Sequence, residues 1–134
     1  MNGRGSGFLL VRTGSRRVGL ELSHVVQVTE IGAVHPVPAI DPALRGIAAV
    51  HGRMIPVVHL GALLEARPCP PREGNLVVLI LVDGRHMCLE VDEAEIVVRK
   101  APLPVPPGAT LPWAVGVARL PDGLVPLLDL PRLT

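Results

Sequence analysis

Apolar residues in this chain fall in short blocks broken by glycine, proline or a pair of polar residues, a rhythm that suits strands better than helices of ordinary length. Phe8–Arg12 and Arg17–Leu22 flank Thr13-Gly14-Ser15-Arg16 and predict a hairpin. Leu76–Val82 and His86–Val91 flank Asp83-Gly84 and predict a second one, with the better turn because both central positions tolerate positive φ. Two further hairpins are predicted: Ile47–Val50 with Met54–His59 around His51-Gly52-Arg53, and Val115–Leu120 with Leu124–Asp129 around Pro121-Asp122-Gly123. Helix signals are few. Ser23 is placed to cap His24–Ile31 and Asp92 to cap Glu93–Val97, since a short side-chain oxygen accepts from free first-turn amides. Both segments are rich in β-branched residues, so the helices should be short, and the second reads equally as strand. Leu60–Leu64 and Leu130–Leu133 each predict a closing helical turn. Pro36-Val37-Pro38 and Pro104-Val105-Pro106-Pro107 lack amide donors and belong in loops or along edges.

These elements occur in the same order twice. Residues 46–64 align without a gap on 116–134, with Gly46/Gly116, Ala48/Ala118, Pro56/Pro126, Leu60/Leu130 and Leu63/Leu133 identical. Phe8–Leu22 matches Val78–Val91 through Gly14 and Gly84. A structural unit of about seventy residues is therefore repeated. The domain reading is a flexible polar tail over residues 1–7, then one domain over 8–134 made of two lobes, 8–65 and 76–134, joined by a proline-rich connector at 66–75. Four to five short strands per half with sharp turns predict a mostly β fold of two small barrels.

Composition narrows the functional classes. Of 134 residues 49% are hydrophobic, tyrosine is absent, and Phe8 and Trp113 are the only aromatics, so the core must be built from Val, Leu, Ile and Ala. A formal net charge of +1 gives no electrostatic footprint for nucleic acid or an anionic membrane, and without aromatics there is no stacking platform for single strands. No apolar run is long enough to span a bilayer, and the N-terminus lacks the apolar stretch of a signal peptide. Cys69 and Cys88 lie in dissimilar surroundings without CxxC spacing and read as free thiols of a reducing compartment, which makes the expected location cytoplasmic.

The element order together with the repeated block G-[IV]-A-x-[VL]-x-G-x-[MLI]-[IV]-P-[VL]-[VL]-x-L-x-x-L resembles the CheW-like domain of bacterial chemosensory systems, from Phe8 to nearly the end of the chain. The resemblance implies two five-stranded SH3-like β-barrel subdomains around a shared hydrophobic core, with no enzymatic activity and no cofactor. It also implies a scaffold that couples the signalling tip of methyl-accepting chemoreceptors to the regulatory domain of a CheA-type histidine kinase. Three departures stand out. Where the family commonly has Val-Asn-Leu-Arg-Gly, this chain has Ala48-Ala49-Val50-His51-Gly52; Asp-Leu-Arg is replaced by His59-Leu60-Gly61; and a family acidic residue aligns with Gln27. Partner contacts are expected on Leu22, Val25 and Gln27, on the turn residues Gly46, Val50, His51 and Arg53, and in the seam between the lobes. The alternative within this fold is a diverged regulator that binds one partner only or serves a dedicated pathway.

Candidate chemistry adds little. None of His24, His35, His51, His59 and His86 has the helical i, i+4 spacing or the cysteine company of a zinc site, and no metal ligand set is predicted. No G-x-S-x-G elbow is present. The cluster Glu90-Asp92-Glu93-Glu95 reads as a solvated face beside a helix start. A remote alternative is a small hydrolase or metal enzyme using His51, His59 and Asp129, supported only by the presence of suitable side chains. Gly3–Gly7 is glycine-rich but leads into a strand without a Gly-Lys-Ser/Thr end, so it reads as tail and not as a phosphate loop.

Overall fold

A computed structural model describes residues 7–38, 41–99, 101–107 and 113–133. Most of the tail expected over residues 1–7 lies outside them. Gly7 does not behave as tail: it is buried, and its carbonyl accepts from the amide of Leu22 at 3.0 Å.

Among the described residues ten strands and two short α-helices follow one another. They are β1 (Phe8–Thr13), β2 (Arg16–Glu21), β3 (Val25–Glu30), β4 (Leu44–Val50), β5 (Arg53–His59), α1 (Leu60–Glu65), β6 (Leu76–Val82), β7 (Arg85–Glu90), β8 (Glu93–Val98), β9 (Ala114–Leu120), β10 (Gly123–Leu128) and α2 (Leu130–Leu133). The helix expected from Ser23 to Ile31 is instead one 3₁₀ turn, Leu22–His24, followed by β3. Ser23 makes no cap, and Val25, Val26, Val28 and Thr29 are residues whose branched side chains favour an extended backbone. The segment after Asp92 is likewise strand throughout.

The strands form two five-stranded sheets, β8-β1-β2-β10-β9 and β3-β6-β7-β5-β4, the two SH3-like barrels of the fold. The sheets cut across the contiguous lobes 8–65 and 76–134. Each barrel takes its first hairpin from one half and its other three strands from the opposite half. In both cases the joints are one antiparallel pairing (β1 with β8, β6 with β3) and one parallel pairing (β2 with β10, β7 with β5). The reason lies in the hairpin strands, which are apolar on both faces. Phe8 and Leu10 of β1 point into their own barrel, while Leu9 and Val11 join a central core. In β6, Val77 and Leu79 point into the second barrel, while Val78, Ile80 and Val82 join the same central core. A strand with two apolar faces needs cover on both sides, and placing β1 and β6 between the barrels supplies it.

Three of the five identical pairs of the repeat show their structural task directly. Ala48 and Ala118 fill the two barrel interiors, and Leu60 and Leu130 are buried in the central core. Pro56 and Pro126 each stand one residue before a parallel ladder begins, at Val57↔Cys88 and Leu127↔Gly19, where the missing amide costs no ladder bond. The proline stretches run along the sheet edges as expected, held by the paired bridges His35↔Ile47 and Leu103↔Val117. Asp83-Gly84 adopts φ values of 51° and 78°, the two-residue turn that its composition predicts.

Cys69 and Cys88 are both free. Cys88 is fully buried in the second barrel, and burial pushes its thiol up to about 11, so thiolate is scarce at neutral pH. Treatment of the native protein with iodoacetamide at pH 8 is therefore expected to leave Cys88 unmodified until denaturant is added. Mass spectrometric detection of rapid native-state alkylation at Cys88 would contradict this assignment.

Candidate partner surface and interbarrel seam

At one end of the second barrel the turn between β4 and β5 meets edge strand β3. His51 and Gly52 form a two-residue turn with φ values of 51° and 77°. This is the geometry that matches the twist of flanking strands, but it places a histidine in the left-handed region. The His51 ring is tied down: Nε2 lies 2.6 Å from Oε1 of Gln27. β3 and β4 are opposite edges of one sheet, so this bond spans the place where the barrel closes. Arg53 beside the turn is exposed, and so are the apolar side chains of Met54 (54% exposed), Val26 (43%) and Val28 (39%) on β5 and β3, with Val28 on the opposite face of its strand from Gln27. A hydrogen-bonded side-chain pair beside exposed apolar residues is suited to protein contact.

The structure sorts the seven expected contact residues into three groups. Gln27, His51 and Arg53 are exposed, with Gln27 and His51 in direct contact. Leu22 and Val25 are half-buried against the central core. Gly46 and Val50 are buried and offer no contact surface: Val50 points into the second barrel, and Gly46 lies beneath the His35 carbonyl. Strand alternation accounts for this, since a turn segment that is exposed at His51 must turn Val50 inward. Met54, Val26 and Val28 were not singled out from the sequence, although their positions on the outward phase of β5 and β3 would mark them once the strands are known.

A polar groove of about 550 Å³ lies where the turn after β1, the ends of β5 and β7, and the connector meet; its walls include Arg45, His59, Arg67, Glu90 and Asp92. Nε of Arg45 bonds Oε1 of Glu90 at 2.5 Å, and both side chains are largely buried, 13% and 9% exposed. Nη2 of Arg45 is buried and has no partner among the described residues. His59 is the N-cap of α1, its Nδ1 accepting from the amide of Ala62 at 2.9 Å. Burial holds the His59 pKa below its ordinary value, with Arg45 and Arg67 acting in the same direction against the attraction of Glu90 and Asp92. At the matching place in the other half, Oδ1 of Asp129 accepts from the amide of Arg132 at 3.3 Å. The histidine that replaces an expected aspartate thus keeps the aspartate's capping task.

The acidic run is solvent-exposed at Asp92, Glu93 and Glu95, as a solvated face should be, but it stands on a strand and not beside a helix start, and its carboxylates are paired. Glu90 pairs with Arg45, Glu93 with Arg12 at 3.1 Å and Glu95 with Arg17 at 2.8 Å, while Asp92 accepts from the Gly14 amide at 2.5 Å. Hydrogen bonding to Glu95 also raises the Arg17 pKa. Its carboxylates stitch β8 and the preceding loop to the first hairpin, a partner set that the sequence order hides. His51, His59 and Asp129, the remote catalytic set, are each engaged locally, on Gln27, α1 and α2. Among the described residues no three His, Cys, Asp or Glu side chains group as a metal site requires, and no helix is long and apolar enough to cross a membrane.

Two interleaved five-stranded barrels that exchange their first hairpins define the class of β protein. Comparison with known proteins gives the family: residues 7–134 match the model of the CheW-like domain, and the chain belongs to that family, the adaptors of chemosensory signalling. Among solved structures, the scaffolding protein TtCheW from Thermoanaerobacter tengcongensis is similar in fold, with a TM-score of 0.82 at 19% identity over 96% of this chain and 92% of that one. Among curated proteins none matches the chain in sequence.

Proposed function

We propose that this chain is a non-catalytic cytoplasmic coupler that joins chemoreceptor signalling tips to the regulatory domain of a CheA-type histidine kinase. The observation that carries the reading is the family match across the whole described domain, and the face built by Gln27, His51, Arg53 and Met54 gives it a physical means. The mechanism is positional: a rigid turn holds two partners in fixed relation, and no bond is made or broken. Met54 supplies apolar contact area while Arg53 and the Gln27–His51 pair select the partner.

The test is titration of the full chain by calorimetry against a CheA-type regulatory domain and, separately, against a receptor signalling-tip fragment. Binding to both is expected, with Arg53→Glu weakening at least one by about tenfold while the circular dichroism spectrum stays unchanged. Binding to neither would end the proposal. A second reading, a diverged regulator engaging one partner, is favoured by one observation: His51 and Gln27 form a hydrogen-bonded pair at positions where the family resemblance places an arginine and an acidic residue. Under that reading only one titration succeeds, and Ala49→Asn with His51→Arg restores the other.

A further inference from the structure

We propose that the interbarrel groove contains an acid-operated latch, in which protonation of His59 releases the start of α1 and loosens the connector behind it. The inference does not depend on which partners the protein binds.

The imidazole stands between two sets of groups. On one side is the helix: Nδ1 accepts from the Ala62 amide at 2.9 Å, which requires that this nitrogen carry no proton. On the other side, from β7 and the loop after it, are Glu90, level with His59 in the parallel ladder, and Asp92. Arg45 of β4 and Arg67 of the connector complete the charged surroundings, and Glu30 and Glu73 stand further along the groove walls. From β1, the Thr13 hydroxyl crowds the ring's neighbourhood: a β-carbon added at Gly61 would lie 2.7 Å from Thr13 Oγ1 and 3.2 Å from His59 Cε1.

Once protonated, His59 has two ring donors and no acceptor, and its charge faces the positive end of α1. The bond to Ala62 is lost, and the opposite charge that acts on the ring most strongly is Glu90, its ladder neighbour. Arg45 already holds that carboxylate through Nε and has a second nitrogen without a partner, so the imidazolium enters as a competitor for a site already in use.

The helix is poorly placed to resist. α1 has only six residues and ends on Ala66 in the left-handed region, φ 51°, and the chain is fastened there by the Arg67 amide to the Ala62 carbonyl at 3.0 Å. Ala62 is therefore bonded to the cap through its amide and to the connector through its carbonyl. Loosening one end of so short a helix loosens the other. α2 is capped by a carboxylate oxygen of Asp129 in place of an imidazole nitrogen.

The direction with pH follows from the depressed pKa. The neutral ring is favoured by the folded state, so the latch is fully closed above the ordinary histidine value of about 6.5 and opens as pH falls through the lower native value. Amide hydrogen exchange of the full chain, corrected for intrinsic rates and followed by NMR from pH 7.5 to 5, is the test. Exchange at Ala62, Leu63 and Arg67 is expected to accelerate by about fivefold or more as pH falls, with β6 and β7 amides unchanged. His59→Asn, which accepts at every pH, abolishes the acceleration. Equal acceleration in wild type and His59→Asn overturns the latch. So does a wild-type Ala62 amide resonance that stays fixed while the His59 ring carbons titrate, a measurement that needs no variant to fold.

Discussion

Gly46→Ala lowers the unfolding free energy by about 3 kcal/mol or more, a large part of the stability of a domain this size. Gly46 has a φ of 153°, a region that residues with a β-carbon avoid, and the bridge between His35 and Ile47 brings the proline stretch directly over it. A β-carbon there would collide with the carbonyl oxygen of His35 and approach Pro36 Cα to 3.1 Å. Both obstacles are backbone, and the bridge bonds of 2.8 and 2.9 Å between His35 and Ile47 hold them in place. The chain must therefore strain at residue 46 or give up the edge bridge. Gly116→Ala is the internal comparison. Its β-carbon would come 2.8 Å from the Leu103 carbonyl with no positive φ to add, so the same substitution in the other half costs less, about 1–2 kcal/mol. Gly32→Ala meets open space and should change stability by less than about 0.5 kcal/mol. Urea denaturation of the three variants checks the order, and a Gly46→Ala midpoint indistinguishable from wild type contradicts the packing argument.

This glycine pair illustrates which parts of the molecule were legible in the sequence. The repeat correctly marks Gly46/Gly116, Pro56/Pro126 and Leu60/Leu130, because each answers a need that arises identically in both barrels: close backbone approach, the start of a parallel ladder, and the central core. Strand positions and the Asp83-Gly84 turn were readable for the same local reasons. The exchange of hairpins between halves was not readable. A repeated unit folding on itself and one trading its hairpin with its twin impose the same apolar pattern on every strand, and only the strands that each hairpin joins, β8 and β10 for β1–β2, β3 and β5 for β6–β7, distinguish them. The false helix after Ser23 shows a cap signal outweighed by branched side chains that prefer a ladder. At the contact face, Gln27 and His51 could be named singly but not as a pair, since twenty-four residues of chain separate them and barrel closure alone brings them together. Val50 was misplaced because a turn was treated as uniformly exposed, whereas alternation sends it inward.

Arg45→Met should be as damaging as Gly46→Ala, for an electrostatic reason one residue away. Glu90 is buried at the end of β7, with its carboxylate held by Arg45 Nε, and removing the guanidinium leaves that charge in a site with little access to water. Losing one member of a buried pair costs about 3–5 kcal/mol, most of it the desolvation of the survivor. The pair itself is a different matter. Its attraction is offset by the burial of both ions, and the unpartnered Nη2 of Arg45 adds an unmade bond to that cost. Arg45→Met combined with Glu90→Met, similar in volume and carrying no charge, is therefore expected to recover nearly all of the loss and to lie within about 1 kcal/mol of wild type. A double-mutant cycle by urea denaturation makes the distinction: strong coupling with a mild double variant fits a pair whose members depend on each other. A double variant as unstable as Arg45→Met alone would instead assign the cost to lost packing of the arginine stem against the groove wall.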